Sequence, residues 1–217
     1  MSTKPWSLAK SSARIALAEF VRDPAKVGSA FPATERLVDR VFEPLNWPRI
    51  GVLVEFGPGT GRFTSAALAR MRRGTRLIAI EPGGEFVDHL QSSIRDPRLS
   101  VVRGLAQDVA KILSDHGLSQ VDCIVSGLPF STLNHAVGAQ IAEASASVLS
   151  QHGSFAAYQM RTSVKPLLRR YFYSVRSRYE WRNIPPCHLY WASHPRFRPH
   201  MHSLVGGRAH NASLSEE

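Results

Sequence analysis

Val52–Phe63 reads Val-Leu-Val-Glu-Phe-Gly-Pro-Gly-Thr-Gly-Arg-Phe. An apolar, β-branched run over Ile50–Phe56 ends in three glycines spaced by two, Gly57, Gly59 and Gly61, and a helical pattern follows at once. One acid, Glu55, interrupts the run near its end. Strand, tight turn and helix N-terminus in this order bring bare backbone N–H groups against a small-molecule cofactor.

Outward from this turn the periodicity alternates between strand and helix. Strands are expected at Ile50–Phe56, Thr75–Glu81, Leu99–Gly104, Val121–Ser126 and Gly153–Met160. Helices are expected at Arg62–Arg72, Glu85–Ser93, Val109–His116, Asn134–Leu149 and Ser163–Tyr173, the last basic and aromatic. Arg178–Ile184 and His188–Ala192 read as a closing strand pair around Pro185-Pro186. Such alternation implies a parallel sheet, with an antiparallel pair allowed at the end.

Upstream, Ala33–Phe42 carries the helical apolar set Leu37, Val38 and Val41, and Asp23–Pro32 is loop-like. Pro5–Arg22 reads as a basic amphipathic helix, with Trp6, Ala9, Ala13, Leu17 and Phe20 on one face and Lys10, Arg14 and Arg22 on another. It either docks on the core by its apolar stripe or lies in a membrane interface, with Trp6 and Phe20 dipping in and Lys10 and Arg14 meeting lipid phosphates. Residues 194–217 show no periodicity and are expected to be a mobile tail. The division is therefore 1–22 helix, 23–193 domain and 194–217 tail.

Among 217 residues, 27 Lys and Arg face 17 Asp and Glu, a formal charge of +10. That excess points to a polyanionic partner, nucleic acid or an anionic membrane surface, or to a basic surface that serves only solubility. Arg161–Arg182 concentrates it: seven basic residues against Glu180, interleaved with Tyr171, Phe172, Tyr173, Tyr179 and Trp181. Both lipid interfaces and single-stranded nucleic acid accept such a mixture. The two cysteines, Cys123 and Cys187, have no metal-ligand spacing, so no metal is expected, and Cys123 reads as a core thiol. With no signal-peptide apolar core at Met1–Lys10, a cytoplasmic protein is expected.

Two acids distinguish the glycine turn from a generic nucleotide loop. Glu81 ends the second strand, where a carboxylate can accept hydrogen bonds from both ribose hydroxyls. Glu55 closes a buried strand, a costly position unless it has partners, and a positively charged amino-acid moiety supplies one. Together with Ser-Gly-Leu-Pro-Phe at Ser126–Phe130, these features resemble the class I S-adenosylmethionine-dependent methyltransferases over about residues 50–160. The resemblance implies a Rossmann-like α/β fold: a mostly parallel seven-stranded sheet with helices on both faces. It implies S-adenosylmethionine as cofactor, held by Glu55, Gly57, Gly59, Gly61 and Glu81, with Ala106, Gln107 and Ser126 completing the site. One departure concerns adenine: Leu105 stands where the family often has an acid, which leaves Gln107 or Asp108 for the polar contact.

Ser126–Phe130 is also similar to the Asn-Leu-Pro-Phe/Tyr motif of rRNA adenine dimethylases, but Gly127 replaces the Asn that would accept from a base amino group. The flanks carry a closer likeness. Asp23–Pro32, Glu55–Gly61, Ala79–Glu81 and Arg182–Pro186 (Arg-Asn-Ile-Pro-Pro) resemble the soluble rhizobial-type phospholipid N-methyltransferases. That resemblance implies a peripheral membrane enzyme on the inner face of the cell membrane, a monomer that methylates phosphatidylethanolamine and its methylated forms. An rRNA adenine N6-methyltransferase, or a methyltransferase of another amino lipid such as ornithine lipid, is the alternative. Tyr158 and His135 are the candidates for the amine's proton, and Phe130, Arg161 and Tyr173 for substrate contacts.

Overall fold

A computed structural model describes residues 33–196. Trp6, Lys10, Arg14 and Phe20, the helix expected to carry them and the tail from residue 197 lie outside the described residues. The elements in chain order are α1 (Glu35–Phe42), a 3-10 turn (Trp47–Arg49), β1 (Val52–Phe56), α2 (Arg62–Arg70), β2 (Arg76–Glu81), α3 (Gly84–Ser93), β3 (Leu99–Arg103), a second 3-10 turn (Ala106–Asp108), α4 (Val109–Asp115), β4 (Val121–Ser126), α5 (His135–Val148), β5 (Leu149–Gln159), α6 (Val164–Tyr171), β6 (Phe172–Glu180) and β7 (Cys187–Pro195).

They form one seven-stranded sheet ordered β3-β2-β1-β4-β5-β7-β6. Strands β1 to β5 pair parallel, and β7 runs antiparallel between β5 and β6. The strand order reverses between β1 and β4, the place where open α/β sheets leave a crevice beyond the strand C-termini.

Side chains alternate across the pleat, so each strand feeds two cores. Val54, Phe56, Ile78, Ile80, Ile124 and Phe155 face α4, α5 and α6. Leu53, Leu77, Ala79, Cys123, Val125 and Ala156 face α1 and α2. Glu55 shares the period of Leu53 and so falls on the α2 side, within reach of that helix's first turn. Cys123 is fully buried and its thiol is pushed up to about 12 by that burial, an inert core group.

Among the described residues the expected strands and helices are present, and the main differences lie toward the end of the sheet. The basic, aromatic helix stops at Tyr171, and β6 begins directly at Phe172 rather than at Arg178. Strand β7 continues to Pro195, so two residues read as tail are strand. In β5, pairing with β4 shifts at the Leu149–Gly153 segment and becomes regular from Ser154.

Candidate active site

The glycine turn leaves β1 with φ of +66° at Gly57, +54° at Gly59 and +80° at Gly61. Gly61 is required twice over. Its left-handed backbone disfavours any side chain, and a Cβ would come within 2.6 Å of Leu90 Cδ2 and 2.9 Å of Ile94 Cδ1. The turn therefore packs directly on α3. Glu81 holds it from below, accepting the N–H of Gly59 at 3.2 Å and of Gly83 at 3.0 Å. Burial pushes the Glu81 carboxyl up, and those two N–H groups pull it part of the way back.

Glu55 is 3% exposed and accepts a hydrogen bond from the Thr64 hydroxyl at 2.7 Å. Burial pushes its carboxyl up to about 7; the Thr64 bond opposes this and the nearby Glu81 charge adds to it. At neutral pH it is poised between its acid and its carboxylate, and a cation brought beside it favours the carboxylate.

The turn after β4 is held by Gln159 at the end of β5. Its amide nitrogen donates to the Leu128 carbonyl at 2.6 Å, and its carbonyl accepts the Phe130 N–H at 3.0 Å. At Gly127 a Cβ would lie 2.5 Å from the Tyr158 hydroxyl oxygen and 3.2 Å from the Gly57 carbonyl. The space a side chain would take at the end of β4 is filled instead by a hydroxyl from β5. Tyr158 is stacked on Phe63, ring centres 4.6 Å apart and planes at 8°. Burial pushes its pKa up, and the neighbouring Glu55 and Cys187 add to this, so the group remains a neutral hydroxyl. It makes no hydrogen bond among the described residues.

With this geometry in place, relatives extend the picture. No family model matches the chain. An ornithine lipid N-methyltransferase of Singulisphaera acidiphila is 28% identical over 177 residues, covering 81% of this chain and 92% of that protein. Two solved structures share the architecture. One is the 1,6-didemethyltoxoflavin-N1-methyltransferase of Burkholderia thailandensis, solved with bound S-adenosylhomocysteine: TM-score 0.60 at 15% identity, over 88% of this chain and 91% of that one. The other is the N-methyltransferase NodS of Bradyrhizobium japonicum WM9: TM-score 0.58 at 13% identity, over 74% of this chain and 93% of that one. The chain has the α/β fold of the class I S-adenosylmethionine-dependent methyltransferases.

S-adenosylmethionine is the cofactor of the class with this fold, and the residues at the C-terminal ends of the parallel strands fit it. Gln107, in the 3-10 turn after β3, has a buried side-chain oxygen with no donor among the described residues. The Gly104 N–H donates to the Glu81 carbonyl at 3.1 Å, which brings that turn beside the Glu81 segment. A nucleobase amino group would supply such a donor, and Gln107 would then make the polar contact that the Leu105 side chain cannot make. Each Glu81 oxygen accepts a single backbone N–H and keeps lone pairs for ribose hydroxyls. Glu55 offers a carboxylate for an ammonium.

Not every residue expected at the site reaches it. Ala106 is 5% exposed and packs its methyl into the core, leaving only its backbone for a ligand. Ser126 is fully buried, and its hydroxyl accepts the Leu128 N–H at 3.3 Å within its own turn. Phe130 is 4% exposed with its ring in the core beside Gly138, so it anchors the turn and offers no face to a substrate. Tyr173 sits at the start of β6, opposite the C-terminal ends of the parallel strands and about 23 Å along the strand from Glu180. A contact from there to the methyl-transfer centre is ruled out by that separation. His135 is exposed in the first turn of α5, without a hydrogen bond or ion pair among the described residues. Arg161 is exposed two residues beyond Gln159, also without an ion pair among them. Gln159 itself is a polar residue ending a buried strand, the same signal that marked Glu55.

Proposed function

We propose that this methyltransferase moves methyl groups from S-adenosylmethionine to the amine of a membrane amino lipid, with ornithine lipid ahead of phosphatidylethanolamine. The observation that carries the reading is the Tyr158 hydroxyl filling the side-chain space of Gly127, where it offers an oxygen to an amine at the end of β4. The relative from Singulisphaera, which spans most of the chain, supports an amino lipid and favours ornithine lipid within that class.

The bound cofactor supplies an electrophilic methyl on a sulfonium. The chain's residues would do the rest by placement. Glu55, the glycine turn, Glu81 and Gln107 hold the cofactor. Tyr158, kept neutral and stacked on Phe63, accepts an N–H of the amine and turns its lone pair inward. His135, exposed at the α5 start, takes the released proton to solvent. Arg161 grips the lipid's anionic group.

The test is incubation with methyl-labelled S-adenosylmethionine and vesicles containing ornithine lipid or phosphatidylethanolamine, with rRNA in parallel. Label is expected in the ornithine lipid. Label in phosphatidylethanolamine alone would move the substrate assignment to that lipid; label in RNA and in neither lipid would overturn the reading. Tyr158→Phe is expected to lower kcat about tenfold, with S-adenosylhomocysteine affinity unchanged. An undiminished kcat would remove Tyr158 from the mechanism.

A further inference from the structure

Two apolar side chains at the β6–β7 turn point to solvent beside the site. Ile184 is 77% exposed and Trp181 66%, and Met160, just past the end of β5, is 42% exposed. The ladder registers bring them to one edge. Gln159 pairs with His188 and Glu180 with Cys187, so Met160 and Trp181 leave their strands on either side of the start of β7, about 10 Å apart. Ser126 pairs with Ala157 and with Phe56, which puts that same edge level with the glycine turn and Tyr158.

The exposure is enforced. Between Trp181 and Ile184 stands Asn183, 4% exposed, which accepts the Thr34 hydroxyl at 2.7 Å and donates to the Pro185 carbonyl at 2.7 Å and to Cys187 Sγ at 3.5 Å. Glu180, buried, accepts the Arg182 N–H at 3.0 Å and pairs with Arg36 and Arg40 of α1. With Asn183 and Glu180 fastened inward, the apolar side chains are held outward on a braced loop.

We propose that Trp181, Ile184 and Met160 form a docking element that seats the mouth of the site on an anionic bilayer surface. The charges are complementary. Arg161 and Arg182 are exposed without an ion pair among the described residues, and Arg182 lies 4.8 Å over the Trp181 ring. The only acid between Met160 and Cys187 is Glu180, already neutralised by its arginines. Tryptophan prefers the bilayer interface, and basic residues near it add attraction to anionic lipid. Ile184 and Met160 have no π-face for a base to stack on, which disfavours nucleic acid as the occupant. The purpose of such a loop rests on the amino-lipid reading, since it would bring head groups to Tyr158 and Arg161. The other basic-aromatic end of β6, Tyr173 with Arg196 over its ring at 4.3 Å, lies at the opposite edge and is left out.

The experiment uses the full chain and phosphatidylglycerol vesicles that hold no amino lipid, so binding is read independently of methyl transfer. The double variant Trp181→Ala/Ile184→Ala is expected to sediment with vesicles at least tenfold more weakly than the wild type, while Tyr173→Ala binds as the wild type does. Undiminished sedimentation of the double variant would overturn the proposal, as would an equal loss for Tyr173→Ala. Vesicles with brominated acyl chains should quench the wild type more than Trp181→Phe, a variant that keeps the loop's shape. Equal quenching would place Trp181 outside the bilayer and overturn the proposal, as would binding to an RNA oligomer in preference to vesicles. Failure of methyl transfer to any lipid would sink the substrate assignment and leave this result standing.

Discussion

The turn after β1 is held by contacts spanning 9 and 22 residues, Thr64 to Glu55 and Gly59 to Glu81. The β6–β7 turn, on the same sheet edge, is held by contacts spanning 144 and 149 residues, from Arg36 to Glu180 and from Thr34 to Asn183. Trp191 of β7 likewise donates to the Val41 carbonyl, 150 residues away. The first region is a local device: glycines, a neighbouring helix and two acids on adjacent strands suffice to shape it. The second exists only once α1 has docked against the far end of the chain. The residues that fit the cofactor thus sit on the locally encoded half, and the rim that would meet the substrate sits on the half assembled last.

Substitutions can break or sharpen this contrast. The largest effect is expected at Gly61→Ala, where a left-handed backbone and the close approach of Leu90 combine. A loss of about 4 kcal/mol is expected, or roughly 10 °C in Tm, with S-adenosylhomocysteine binding abolished by calorimetry. Wild-type affinity in that variant would mean the turn is not the cofactor cradle.

Next is the pH dependence of Glu55. Its pKa in the fold is about 7 against 4.5 for the ordinary side chain, so the folded state binds the extra proton. The stability this group contributes is full below about pH 4.5 and is lost as pH rises through about 7, a change of about 3 kcal/mol. Glu55→Gln should flatten that part of the stability curve measured by urea unfolding. Cofactor affinity should move the opposite way, rising with pH up to about 7, because an ammonium partner requires the carboxylate. An affinity that is flat with pH in the wild type would separate Glu55 from the cofactor.

A smaller loss is expected at Asn183→Ala, which leaves the Thr34 hydroxyl without its acceptor and frees the Cys187 end of the turn. About 2 kcal/mol, or some 5 °C in Tm, should be lost while S-adenosylhomocysteine affinity stays within twofold. A parallel loss of cofactor affinity would show that the two halves are coupled.

Much of the first half was legible in the residues themselves. Ile50–Phe56 followed by Gly57, Gly59 and Gly61 specifies strand, turn and helix, because apolar period and glycine spacing are local properties. Glu55 and Glu81 stood out because an acid closing an apolar strand demands a partner. Gln107 was reachable in the same way, as a polar side chain in the turn after β3, and the structure adds that its oxygen lacks a donor among the described residues. The second half was legible only as composition. Arg161–Arg182 reads as a single basic-aromatic stretch, yet the fold splits it. Tyr171 closes α6, Tyr173 goes to the far edge, and Trp181 goes to the site's rim.

Phe130 and Ser126 show the same limit on a smaller scale. Their motif is visible, but which way a ring or hydroxyl turns is not: Gln159 of β5 fastens the turn with the Phe130 ring in the core, and the Ser126 hydroxyl at the end of β4 accepts the Leu128 N–H. Gly127 is the sharpest case. As sequence it records the loss of an amide side chain; in three dimensions it is the space occupied by the Tyr158 hydroxyl, 31 residues later. The sequence by itself determined the α/β alternation, the glycine turn and its two acids, because each depends on neighbours within a strand–turn–helix unit. Only the tertiary structure decided which polar group stands at the end of β4 and which aromatic residues share the site's edge. Both depend on the order and direction in which strands pair, and β7 enters that order between two strands that precede it in the chain.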